Sequence, residues 1–168
     1  ERRLADPTLP MEEAFSQQLK EEKLELPAGQ FALFMNSMYA VDAYVRDYFR
    51  KAALDALLAE KLPVTVFGEG WEKYSCGDEH SLRRVPFALS FERIAKAHVL
   101  LNVSPIFNRG MHDRVPAGMA NHAVVLTDEN PYLRRTFTDG KELLFYSLEK
   151  PDTLCEQAER TLTDVRLR

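Results

Sequence analysis

Cysteine is nearly absent from this chain: Cys76 and Cys155 are the two in 168 residues, far apart and outside any C-x-x-C pattern. That excludes a disulfide framework and a cysteine-built zinc site, and the expected compartment is reducing. Tryptophan occurs once, at Trp71. No apolar run approaches the ~20 residues of a membrane span. Excess basic charge is missing too: 22 Lys and Arg are dispersed among 26 Asp and Glu, for a net charge of -4. No basic stripe is left for nucleic acid or a membrane surface, so the expected partner is a small molecule or a protein. The opening "ERRLADPTLP" lacks the basic start and apolar middle of a signal peptide, and the expected location is cytoplasmic. It begins without Met, so a piece of something longer is also expected.

What remains suffices for one core. At 168 residues and 45% hydrophobic content, one domain, or one with a helical extension, is the expectation. Met11, Phe15 and Leu19 recur at helical spacing amid charges, predicting a short amphipathic helix ended by "PAG" at 27–29. "AVDAYVRDYFRKAALDALLAEKLP" predicts a long helix with an apolar stripe of Val41, Tyr44, Val45, Tyr48, Ala52, Ala56 and Leu57, and with Arg46, Asp47, Arg50 and Lys51 away from it. The Tyr44, Tyr48 and Phe49 cluster reads as core. Beyond Pro63, β-rich runs alternate with helical stretches, the pattern of βαβ units around a parallel sheet. The runs are "VTVFG" at 64–68, "VLLNV" at 99–103, "AVVLT" at 123–127 and "LLFYS" at 143–147, with a weaker one at 85–87.

Helix punctuation completes the reading. Ser90 is placed to cap "FERIAKA", Asn130 and Pro131 to open "PYLRRTF", and "TDGKE" at 138–142 to turn back to the last strand. A final helix starts at Pro151, with Leu154, Ala158, Leu162 and Val165 on one side. The fold class is α/β, a Rossmann-like parallel sheet with flanking helices over 33–168 and an N-terminal helical extension over 1–32.

In open parallel sheets, ligands bind beyond the carboxyl ends of the strands. That selects the loops "GEGWEKY", "SPIFNRGMHDR" and "TDENP". Gly68 and Gly70 permit a sharp strand exit and close ligand approach, but no third glycine follows at dinucleotide-fold spacing, so a nicotinamide or flavin enzyme is disfavoured. A helix beginning at 112–114 would leave the amides of 110–114 unpaired at its positive end, suited to a phosphate. Gly110 would admit an anion, Arg114 would add bidentate bonds, His112 would donate to a phosphate or sugar hydroxyl, and Pro116 fits a first turn. The plainer reading makes Asp113 an N-cap, Arg114 a surface cation and His112 a loop residue. A metal at His80 lacks a further ligand at suitable spacing, Cys76 has no base beside it, and His98 reads as a structural cation after a helix. Glu69 reads as a solvated loop acid, and Asn102, inside an apolar strand, must find hydrogen bonds if buried.

"VDAYVRDYFRKAALDAL", "VTVFGEGWE", "ERIAKAHVLLNVSPIFNRGMHDRVPAGMANHAVVLTDENPYLRRTF" and "DGKELLFYS" resemble, in that order, the carboxyl-terminal domain of bacterial group-1 glycosyltransferases of the spore-maturation type. The resemblance covers roughly 41–147. It implies half of a GT-B enzyme, in which two Rossmann-like domains face each other across a cleft. This half would hold a nucleoside diphosphate sugar, and a missing N-terminal domain would bring the acceptor. It also implies a metal-free, cofactor-free hexosyltransferase, of retaining outcome in related enzymes, with the diphosphate stabilised by helix-terminal amides and basic side chains.

Carried over by the resemblance, Gly110, His112, Asp113 and Arg114 fall in the diphosphate and sugar region; Asn108, Gly68 and Gly70 are donor-binding candidates beside them. Val85 and Phe87 fall on the strip that meets the base, and Thr127 and Asp128 at the strand end beside the donor. No catalytic residue is assigned. Ala117 stands where many relatives place a ribose-binding glutamate, and His122 where they place glycine. Two main readings therefore stand, with a different α/β enzyme such as an oxidoreductase third and disfavoured by the absent third glycine. One is a donor-binding glycosyltransferase domain, inactive alone because transfer requires acceptor proximity. The other is a non-catalytic Rossmann-like nucleotide-binding or protein-interaction module.

Overall fold

The structure, a computed structural model, describes residues 1–68, 71, 81–82, 85–105 and 107–164. Expectations that fell on Glu69, Gly70, Cys76, His80 and Val165 lie outside the described residues. In chain order the elements are α1 (Arg2–Ala5), α2 (Met11–Glu21), α3 (Ala28–Ser37), α4 (Tyr39–Ala59), β1 (Val66–Phe67), β2 (Ser81–Leu82), α5 (Phe87–Ile94) and β3 (Val99–Asn102). Then follow α6 (Arg114–Ala120), β4 (Val124–Asp128), α7 (Pro131–Thr136), β5 (Leu144–Tyr146) and α8 (Pro151–Thr163).

Strands β3, β4 and β5 form a parallel sheet in that order, with Val99 opposite Val124, Asn102 opposite Thr127, and Leu126 opposite Leu144. Side chains alternate between its faces. Leu126, Leu144 and Tyr146 pack with Val45, Phe49, Ala53 and Leu57 of α4 and Leu154 of α8. Val125 and Phe145 pack on the other face with Val115 of α6 and Leu133 of α7. Burial on both faces explains why these strands read as continuous apolar runs. This is the expected Rossmann-like α/β architecture, preceded by helices.

Several expectations change. β1 pairs in parallel with β2, and no ladder joins it to β3 among the described residues. The run at 85–87 is no strand: Pro86, with no N–H to give a ladder, stands at φ -52° and ψ 144° immediately before α5. Ser90 therefore lies inside that helix and bonds the Phe87 carbonyl at 2.6 Å instead of capping it. The "PAG" at 27–29 opens α3, because Pro27 suits the position before a helix as well as the one after. On α4 the buried set is Val45, Phe49, Ala53, Leu54 and Leu57. Tyr44 and Tyr48 are 61% and 47% exposed, so only Phe49 of the aromatic cluster is core.

Other punctuation stands as read. Asn130 accepts the Leu133 amide at 2.8 Å to cap α7, and Gly140, at φ +77°, makes the turn before β5. Helices α2, α4 and α6 each end with a non-glycine residue at positive φ: Lys23, Lys61 and His122. Around His122 the amide of Ala123 reaches the Gly118 carbonyl at 3.0 Å and that of His122 reaches Met119 at 3.2 Å, a Schellman ending. Gly118 is required for close approach: a β-carbon there would lie 2.6 Å from Val125 Cγ2 and 2.8 Å from Leu100 Cδ2.

The N-terminal helices are tied to the rest by Arg3, which is 5% exposed and reaches Asp42 at 2.8 Å and the Leu9 carbonyl at 3.2 Å. Phe15 of α2 stacks near Phe31 and Phe34 of α3, at 5.3 and 5.8 Å between centroids. No helix among the described residues is long and apolar enough to cross a membrane.

Candidate functional site

Asn102 ends β3 at 1% exposure, where an amide must be satisfied internally. Its Nδ2 donates to Thr127 Oγ1 at 2.9 Å, and its Oδ1 accepts from Ser104 Oγ at 2.9 Å and from Arg114 Nη1 at 3.2 Å. Its carbonyl accepts the Tyr146 hydroxyl at 2.9 Å. The three strand ends and the start of α6 thus converge on one residue, as the need to satisfy a buried asparagine had indicated. Burial, and next the charge of Asp128, push the Tyr146 phenol well above its usual value, so it stays a donor.

Asp128 closes β4 beside this network, 3% exposed, accepting the Ser104 amide at 2.7 Å. Burial pushes its carboxyl up to about 7, against the opposing pull of the Ser104 and Asp128 amides and of the Arg114 and Arg50 charges. Thr127 is fully buried. With Pro7, Thr8 and Asn108, Asp128 lines a cavity of about 50 Å³, room for about one water. Asn108 turns toward the N-terminal segment, donating to the Thr8 carbonyl.

Five further site residues border a larger space. A cleft of about 630 Å³ opens between β1 and β3, within the roughly 300–1,000 Å³ of small-molecule sites. Val85, Phe87 and Trp71 line it, as do His112, Asp113 and Arg114. Gly68, at φ +141°, makes the sharp strand exit expected of it, and Trp71 packs over it, with Nε1 3.2 Å from where a β-carbon would stand. The site residues read from the sequence are therefore not gathered in one place: Asn108 and Asp128 are at the small cavity, Val85, Phe87 and His112 to Arg114 at the large cleft, and Gly68, Gly110 and Thr127 line neither.

The loop before α6 differs from expectation. The Gly110 amide donates to Phe107 at 3.4 Å and that of Arg114 to His112 Nδ1 at 3.3 Å, so they are not free. Gly110 has ordinary φ, a β-carbon there would touch nothing, and its carbonyl accepts from Asn130 Nδ2 at 3.2 Å. Asp113 occupies the N-cap position without a side-chain cap bond. The charge of this corner thus rests on side chains more than on helix amides. His112 Nδ1 stands between the Asp113 carboxylate and the Arg114 amide, each tautomer serving one of them. Burial first, then Arg114, holds the imidazole below its usual range, Arg50 adding to the effect and Asp113 opposing it. That favours its neutral form. Burial and the Arg50 charge also lower Arg114.

Arg50 was not selected from the sequence. It lines the same cleft with Leu54 and Leu57, at the i, i+4, i+7 spacing that puts all three on one helix face. That spacing was the available signal, hidden because the surrounding charges suggested a solvated side. His98 bonds the Thr161 carbonyl at 3.0 Å and so ties the approach to β3 onto α8. Among the described residues, no group of three or more His, Cys, Asp or Glu side chains converges to hold a metal.

A parallel sheet with a charged cleft beside its first strands fits many enzymes, and comparison with known families narrows the choice. The sequence model described as Glycosyl transferase-like matches residues 46–168, well over half of the chain. The chain belongs to that family. No curated protein and no solved structure matches it. In this glycosyl transferase-like chain the match takes in the cleft-lining part of α4, all the strands among the described residues, and Arg50 and Arg114. It assigns the chain to glycosyl transfer in general. Ala117 borders the cleft with a methyl group where the resemblance places a carboxylate.

Proposed function

We propose that this glycosyl transferase-like chain is the donor-binding domain of a spore-maturation-type, GT-B glycosyltransferase, and that the cleft holds a nucleoside diphosphate sugar. The observation that carries the proposal is the lining of the cleft: an apolar wall of Val85, Phe87 and Trp71 beside a corner that presents Arg114 and the neutral imidazole of His112. The wall suits a base, and the corner suits a diphosphate. In the reaction, the bond from the anomeric carbon to the diphosphate oxygen breaks and the acceptor hydroxyl oxygen bonds to that carbon. The hydroxyl proton leaves to a base, and the diphosphate departs with the electron pair and its charge stabilised by the guanidinium. No resident cofactor or metal takes part. The acceptor side belongs to a further N-terminal domain, so that residues 33–168 are the donor half and residues 1–32 an extension. By itself the chain would bind donor with little turnover.

Trp71, the only tryptophan, reports on the cleft. Adding UDP, GDP or dTDP is expected to change its fluorescence saturably for at least one of them, while NAD does not; silence toward all three sinks the proposal. Ala117 favours a second reading, a nucleotide-binding or protein-interaction module without transfer. It predicts the same fluorescence change with no sugar release when the acceptor half is present.

A further inference from the structure

The donor-site reading uses Arg114 and leaves a second cation of the cleft without a role. Arg50 points its helix face, with Leu54 and Leu57, at the same space. Among the described residues its guanidinium makes no hydrogen bond and no ion pair. A guanidinium brings five N–H donors, and a half-buried one gains little from water. Burial is the main influence that lowers Arg50, followed by the charge of Arg46, with Asp47 and Asp128 opposing. The Arg114 guanidinium spends one donor on Asn102 and has no other hydrogen-bond acceptor among the described residues.

The two guanidiniums share one field, since the Arg50 charge lowers both Arg114 and His112. Their carboxylate counter-charges are weak: Asp47, three residues before Arg50 on α4, is exposed and screened by water. Asp113 is largely exposed and turned to His112. Asp128 is buried and holds its proton up to about pH 7. Two partly desolvated cations without a matching pair of anions form a site complementary to a ligand carrying two negative centres.

We propose that Arg50 is a second anion-holding residue of the cleft, supplied by α4, which with Arg114 grips the two phosphates of a nucleoside diphosphate and makes the site select diphosphates over monophosphates. This rests on the donor-site reading and adds to it a residue and a specificity. Each arginine can bind a phosphate in fork geometry, and the pair stabilises the charge that the leaving diphosphate acquires.

The test compares the wild type with Arg50→Met, Arg50→Lys and Arg114→Met. Each is titrated with UDP, GDP and dTDP, with their monophosphates and with inorganic pyrophosphate, and is read by Trp71 fluorescence. The wild type is expected to prefer the diphosphate and to be competed by pyrophosphate. Arg50→Met should lose about tenfold or more in diphosphate affinity, the loss of a charge-assisted pair, with little change toward the monophosphate. Arg50→Lys should fall between them. Melting of the unliganded variants controls for folding; relief of the Arg50 and Arg114 repulsion predicts no loss for Arg50→Met, and Arg50→Gln is read in the same way should methionine disturb α4. Diphosphate binding by Arg50→Met equal to wild type, with Arg114→Met weakened, overturns the role of Arg50 and leaves the donor site standing. A wild type that binds none of the nucleotides and no pyrophosphate overturns both.

Discussion

Replacing Asp128 by asparagine removes a proton-binding group from a place that water hardly reaches. The carboxyl is held at about 7 in the folded chain, chiefly by burial, against 3.8 when free. An acid raised in this way binds its proton more tightly folded than unfolded. Its stabilising contribution is therefore whole below the unfolded value and is lost as pH rises through the folded one. A rise of about three pH units, at about 1.4 kcal/mol each, gives a ceiling of about 4 kcal/mol lost between about pH 4 and pH 8. An asparagine in its place would have no proton to lose, and its side-chain oxygen can keep the 2.7 Å bond from Ser104. Urea unfolding of wild type and Asp128→Asn at steps from about pH 5 to 8.5 gives the difference directly. The variant is expected to gain about 3 kcal/mol relative to wild type over that range, most of it below about pH 7.5. A difference that stays flat, or that moves in favour of wild type as pH rises, refutes the argument that burial dominates over Arg114 and Arg50.

Three other substitutions test the framework around the cleft. His122→Gly should raise stability by about 1 kcal/mol, since the histidine sits at φ 61° where glycine is unstrained; a lower melting temperature would contradict this. Gly118→Ala should cost about 1–3 kcal/mol by driving a methyl into Leu100 and Val125, and an unchanged midpoint in urea would show that α6 has room to move. Asn102→Ala should cost about 2–3 kcal/mol, because its buried partners Thr127 and Ser104 lose their bonds to the side chain. The same variant should also weaken nucleotide binding by releasing Arg114, and calorimetric unfolding together with Trp71 fluorescence reads both effects.

Much of the fold was legible because buried parallel strands need unbroken apolar runs: "VLLNV", "AVVLT" and "LLFYS" lie on β3, β4 and β5. Capping chemistry was equally direct at Asn130, whose side chain does what its position before Pro131 announced. Where one residue serves two structures, pattern failed. Proline ends a helix and also precedes one, so the sequence alone does not tell that Pro27 and Pro86 open α3 and α5. The stripe on α4 was turned toward Tyr44 and Tyr48 because hydrophobicity marks what can be buried, and only the packing against the sheet and α8 decides what is. For the candidate site, the residues of the loop before α6 were selected because glycine, histidine and arginine cluster there. Arg50, which lines the same cleft, was not selected because Arg114, far along the sequence, comes within its field only through the fold.

A crystal of the chain grown with a UDP, GDP or dTDP sugar tests the central claim most directly. The account predicts the base against Trp71 and Val85 and the diphosphate within hydrogen-bonding distance of the Arg114 guanidinium. Density for the nucleotide elsewhere on the molecule, with the cleft filled by side chains and Arg114 turned to solvent, would contradict it.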